Sequence, residues 1–291
     1  MKNAIEINNL CKIYKDFQLK NVSFNVPSGS IVGFIGENGA GKTTTIKLIL
    51  NEMKRDGGNI KIFGMDNVKD ERKIKEQIGV VFDESYFHSE FKAGDVASVL
   101  KKTYTNWDDI YFNKKLQEFN IPNNKIIKEY SKGMKMKLSI ASALAHHPKL
   151  LILDEATSGL DPIVRREILD IFLDFIQDEN HSILFSSHIT NDLEKIADYI
   201  AFIHNGKIVF EHSKDELLYN YGIIKCGKNE LSELDKNDII RIKKDQLGCE
   251  ALVADKDAAK RKYPNLLIDS TSIDEIMLLY VKEIGRASCR E

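Results

Sequence analysis

The run GENGAGKTT, Gly36–Thr44, has the residue types and spacing to hold a phosphate. It fits the pattern G-x-x-x-x-G-K-[ST]. Glycines at 36, 39 and 41 let the backbone turn tightly and aim N–H groups inward, with Asn38 and Ala40 between them. Lys42 is placed to reach β- and γ-phosphates and Thr43 to offer a hydroxyl to Mg²⁺, with Thr44 counted among the nucleotide-binding residues of the run. The apolar run LLILDEA ends in Asp154 and Glu155. Alone these two read as an ordinary acidic strand end. Beside a phosphate loop they read as a metal-holding carboxylate, Asp154, and a group that polarises an attacking water, Glu155. His188 ends another apolar run, SILFSSH, and is expected to contact a γ-phosphate from the same row. The other six histidines carry no such placement. A second anion grip lies in EYSKGMKMKL, Glu129–Leu138, where Ser131 can cap a helix whose first N–H groups point outward.

These residues need a frame. GSIVGFIG, QIGVVF, LLILD and SILFSSH read as buried strands, and KTTTIKLILNEM and PIVRREILDIFLDFI as amphipathic helices, the latter with Pro162 at its start. Apolar strands alternating with helices argue for an α/β fold with a mainly parallel core sheet. AIEINNL and LKNVSFNV alternate apolar and polar residues and are expected as N-terminal antiparallel strands, and NGKIVF as the second arm of a hairpin turning at Asn205 and Gly206. Residues 84–149 change to a helical, lysine-rich pattern and are read as an inserted helical subdomain of a main domain over 1–215. Residues 216–284 keep the alternation without the motifs and are read as a small C-terminal accessory domain. GRASCRE, 285–291, continues no periodicity and is set aside as a tail, either native or added.

The chain has 291 residues, 43% hydrophobic and 30% charged, with a formal net charge of −2. That balance gives no electrostatic footprint for nucleic acid. Four scattered cysteines form no C-x-x-C pair and suggest neither a disulfide framework nor a zinc site. The start reads as no secretory leader, which points to the cytoplasm. No apolar run reaches the ~18–20 residues needed to span a bilayer, so any spanning belongs to another chain.

Taken in order, GENGAGKTT, YSKGM, LLILDE, SGLD (Ser158–Asp161) and His188 make residues 3–215 resemble the ATP-binding subunit of bacterial ABC transporters. The resemblance implies ATP and Mg²⁺ as ligands and adds Tyr14, in KIYKDF, as the aromatic that stacks on adenine. It implies head-to-tail pairing, as a homodimer or with a related subunit. Ser131 and Gly133 of one copy, with Asp161 in the adjoining loop, then close on the ATP held by Lys42 of the other. It implies further that the pair sits at the inner face of the membrane and drives a separate permease.

Two departures stand out. Where the family commonly has Ser-Gly-Gly-Gln, this chain has Ser131-Lys132-Gly133-Met134, similar to exporters of the lantibiotic, bacitracin and toxic-peptide kind. Where the family often has Gln after the strand IGVVF, this chain has Asp83, which reads either as a further Mg²⁺ ligand or as a plain acidic loop end. Export of peptides or drugs is the expected work. The alternative is a soluble ABC ATPase acting as an assembly or regulatory factor.

Overall fold

The computed structural model of the chain describes residues 2–244 and 248–287. It divides into two compact units, Met1–Glu211 and His212–Glu291.

The first unit is built on a six-stranded sheet in the order β10-β9-β3-β8-β7-β6. These strands are β3 (Ile31–Ile35), β6 (Ile78–Val81), β7 (Leu150–Asp154), β8 (Ser182–Ser187), β9 (Tyr199–His204) and β10 (Lys207–Ser213). All five residues of β3 and of β7, and all six of β8, are buried. That is why they read as unbroken apolar runs rather than as alternating ones. The pairs β3/β8, β3/β9, β6/β7 and β7/β8 are parallel. Their register places Ile35 beside Ser187, Asp154 beside Ser186, and Val81 beside Leu153. The C-terminal ends of β3, β6, β7 and β8 therefore finish level. β10 returns from β9 through Asn205 (φ 46) and Gly206 (φ 70), a two-residue turn with both central residues left-handed.

A second sheet, order β2-β1-β4-β5, contains β1 (Asn3–Ile13), β2 (Gln18–Pro27), β4 (Gly57–Ile62) and β5 (Met65–Asp66). Its pairs are antiparallel. Its alternating strands turn Ile5, Ile7, Leu19, Val22 and Phe24 inward. Phe24 of this sheet stacks on Phe34 of the first, 4.9 Å between centroids. Each such ring contributes about 1.5–3 kcal/mol by leaving water. Helix α1 (Lys42–Ile49) puts Ile46 and Ile49 into the same core. A short α2 (Glu71–Lys75) precedes β6, and α3 (Ala93–Thr103), α4 (Asp109–Glu118) and α5 (Lys132–Leu144) fill the stretch between β6 and β7. After β7 come α6 (Pro162–Phe175), then β8, then α7 (Thr190–Ile196). Phe172 of α6 meets Phe185 of β8 edge-on at 5.8 Å.

The second unit carries β11 (Gly222–Cys226), α8 (Lys228–Glu233), β12 (Ile239–Lys244), β13 (Cys249–Val253), α9 (Lys256–Lys262) and β14 (Leu267–Ser270), followed by α10 (Ile273–Ala287). Its sheet runs β12-β13-β11-β14 with every neighbour antiparallel. This is a split β-α-β arrangement. Helix α10 continues through Gly285–Ala287. The remainder of GRASCRE lies outside the described residues. No helix among the described residues is long and apolar enough to cross a membrane.

Candidate functional site

The site begins where β3 ends. Gly36 must be glycine because a Cβ there would lie 2.4 Å from the Ile203 carbonyl oxygen. Gly41 caps α1 with φ 115, and a Cβ would meet Leu19 at 2.6 Å and Phe17 at 3.0 Å. The loop is thus pressed onto its neighbours along Gly36, Ala40 and Gly41, with the Ala40 carbonyl accepting from Gly206 N at 3.0 Å. Glu37, Asn38, Gly39 and Thr43 stay exposed. The first N–H groups of α1, at Thr43 and Thr44, have no partner within the helix and carry its partial positive charge. Lys42 is only 5% exposed. Its ammonium folds back to donate to the carbonyls of Gly36 (2.7 Å) and Glu37 (3.2 Å), which fixes the charge over the loop.

Beside this loop stand the ends of β7 and β8. Glu155 Oε1 lies 3.2 Å from Lys42 Nζ, and Glu155 Oε2 lies 2.6 Å from His188 Nδ1. Glu155 sits at φ 55, a left-handed backbone that costs a non-glycine residue about 1–3 kcal/mol. The bonds from Glu155 N to Ser186 O (3.0 Å) and from Ser158 N to Glu155 O (2.9 Å) hold it there. Asp154 Oδ1 accepts from Ser186 Oγ at 2.7 Å. Burial pushes the Asp154 carboxyl above the ordinary range, hydrogen bonds from Ser186 and Thr43 partly oppose this, and the charges of Glu155 and Asp83 add to the rise. Two further carboxylates thus act on a buried one. That is the electrostatic setting a divalent cation relieves, with the Thr43 hydroxyl beside the Asp154 carboxyl.

Tyr14 flanks the same loop. It is 39% exposed, its ring is 6.3 Å from Phe17, and Phe17 packs at Gly41. Tyr14 thus presents a partly exposed ring near the loop, with the Lys12 ammonium 5.7 Å from its centroid. Two residues went unread in the sequence. Ser186 orients Asp154, and its place in the apolar run SILFSSH, parallel to LLILD, was the available signal. His204, buried at the end of β9, has its Nδ1 3.6 Å from Glu37 of the loop. Nothing in its local sequence marks it.

The second grip forms separately. Ser131 caps α5 by accepting from Met134 N at 3.2 Å, which leaves its hydroxyl proton free to donate. Gly133 is required for packing, since a Cβ would strike Val164 of α6 at 2.8 Å. Lys132 reaches over Gly159, so near that a Cβ on Gly159 would come within 2.7 Å of its ammonium. Asp161 caps α6 through Ile163 N and Val164 N, both at 3.1 Å. Ser131, Gly133 and Asp161 make no hydrogen bond or ion pair to the Lys42–Glu155–His188 group among the described residues. Asp83 opens onto a cleft of about 410 Å³ lined also by Glu84, Lys132 and Lys135.

A phosphate loop at the head of a central parallel strand, two acidic strand ends beside it and an antiparallel sheet packed alongside define a nucleotide-binding cassette. The chain belongs to the ABC transporter ATP-binding family, whose profile matches residues 19–158. It is 34% identical to the bacitracin transport ATP-binding protein BcrA of Bacillus licheniformis, over 75% of this chain and 72% of that one. It is 35% identical to the lantibiotic transport ATP-binding protein SrtF of Streptococcus pyogenes, over 81% and 97%. A solved ATP-binding subunit of an ABC transporter superposes with TM-score 0.67 at 27% identity, covering 74% of this chain and 91% of that one.

Proposed function

We propose that this ATP-binding subunit hydrolyses ATP with Mg²⁺ and, as a pair of copies or with a related subunit, powers export through a separate membrane permease at the inner face of the membrane. The observation that carries the hydrolytic reading is the placement of Glu155 between Lys42 and His188 at the mouth of the phosphate loop. The Glu155 carboxylate lies against both neighbours. A γ-phosphate draws the Lys42 ammonium away from Oε1, and that oxygen is then free to take a proton from the attacking water. His188 keeps its hold on Oε2 and faces the γ-phosphate. Thr43, Asp154 and Asp83 would hold Mg²⁺, which supplies neutralisation of the phosphate charge.

The spare Ser131 hydroxyl proton and the outward N–H groups of α5 support a second grip, exercised on the ATP of the opposing copy. The names of the relatives support an antibiotic-peptide or drug cargo rather than an assembly or regulatory role. Tyr86, 75% exposed at the rim of a groove with Phe82, Phe87 and Leu100, supports docking of the permease there. Phosphate release by the purified chain, measured with and without Mg²⁺ and again with the permease co-expressed in membranes, tests the reading. Mg²⁺-dependent release that rises with the permease is expected. No release in either setting overturns it.

A further inference from the structure

Half-buried Arg165 and buried Asp192 have no part in the scheme above. Arg165 lies on the first turn of α6. Its Nη2 donates to the Leu160 carbonyl at 3.2 Å, at the far end of the loop that begins with Glu155. Its Nε faces Asp192 Oδ2 at 3.9 Å. Asp192 is on α7, in the segment that His188 opens, and is 1% exposed. Arg165 Nε and Asp192 Oδ2 are both buried and make no hydrogen bond in the structure. At 3.9 Å they attract as charges without the short, directed bond a guanidinium and a carboxylate form when they touch. Two charged atoms facing each other out of water, each lacking any other partner, need an account.

The geometry supplies one. The hydrolytic pair is assembled from two separate loops. One runs from the left-handed Glu155 through Gly159 (φ 64) to Asp161; the other runs from Ser187 through His188 into a seven-residue helix. The Glu155–His188 contact of 2.6 Å is sensitive to displacements of about 1 Å in either loop. Arg165 is a rigid fork that reaches both loops at once, through Leu160 O and Asp192 Oδ2. We propose that Arg165 and Asp192 form a positioning couple, fastening the Glu155 loop to the His188 segment and so setting the contact between Glu155 and His188. This rests on the hydrolytic role proposed above for that pair. Neither residue touches the nucleotide loop; both act through His188 and Glu155.

The test uses the full chain with Mg²⁺ and ATP. Arg165→Lys keeps the charge and loses the fork; Asp192→Asn keeps the shape and loses the charge. Each is expected to lower kcat about tenfold while leaving KM for ATP within about twofold. The decisive readout is the combination with His188→Ala. If Arg165 acts through His188, Arg165→Lys with His188→Ala hydrolyses no more slowly than His188→Ala alone. Penalties that multiply overturn the couple, as do parental kcat values for both single variants. Glu155→Gln run alongside separates the two levels. If it is inactive while the penalties multiply, the hydrolytic reading stands and only the couple falls. If it turns over at the parental rate, reading and couple fall together.

Discussion

Glu155→Gln changes one charge and almost no volume, and the structure says what that does to two different measurements. With 3.2 Å between Glu155 Oε1 and Lys42 Nζ, two unit charges attract by about 5 kcal/mol at an effective dielectric of about 20. Removing an ammonium that is 5% exposed and a carboxylate that is 15% exposed from water offsets most of this. The contact is an ion pair without a directed hydrogen bond, and close charge pairs of this kind couple by about 1.5–7 kcal/mol. An incoming phosphate competes with that ion pair for Lys42. Taking the lower value, glutamine relieves about 1.5 kcal/mol of competition and tightens ATP binding about tenfold. The same change removes the proton acceptor, worth about 10²–10⁴-fold in rate. The variant should therefore bind ATP more tightly, release phosphate at least about a hundredfold more slowly, and elute as a dimer with Mg²⁺ and ATP. Calorimetric titration, a phosphate-release assay and size-exclusion chromatography read the three quantities. Parental turnover refutes Glu155 as the base. Unchanged or weaker ATP affinity refutes the account of Lys42 as a shared cation.

Ser131→Ala should cost ~1 kcal/mol of stability as a lost helix cap and should impair turnover while leaving ATP affinity of the single copy unchanged; unaltered turnover would mean the second grip takes no part. Asp154 carries a carboxyl raised by burial, so between its ordinary and folded values the folded chain holds a proton the unfolded chain has lost. Stability contributed by this group therefore falls as pH climbs through that window, and the cost is fully present above it. Asp154→Asn should raise the nucleotide-free Tm at pH 7 and shrink the further rise caused by Mg²⁺ with ATP. A lower nucleotide-free Tm in scanning fluorimetry contradicts the burial argument. Gly133→Ala drives a methyl into Val164 and should cost about 1–3 kcal/mol in denaturant unfolding, recovered in part by adding Val164→Ala; a loss unmoved by the second change would mean the helices do not meet there.

The phosphate loop was legible because everything it needs is local. Its glycines, its lysine and the strand and helix flanking it occupy one continuous stretch, and backbone geometry alone dictates that pattern. The caps at Ser131 and Asp161 are local in the same sense, each side chain serving N–H groups two or three residues on. The run of buried strands was legible too, since a strand covered on both faces has no polar side to show. Which strands stand side by side was not. That β3 lies between β8 and β9, with Ile35 level with Ser187 and Asp154 level with Ser186, follows from side chains far apart in the chain packing against one another. From that register come the contacts no local pattern encodes: Ser186 on Asp154, His204 beside Glu37, Glu155 shared by Lys42 and His188, and Arg165 facing Asp192. Residue types declared what chemistry was on offer. Long-range packing, which fixes distances to within an ångström, decided which groups meet to perform it.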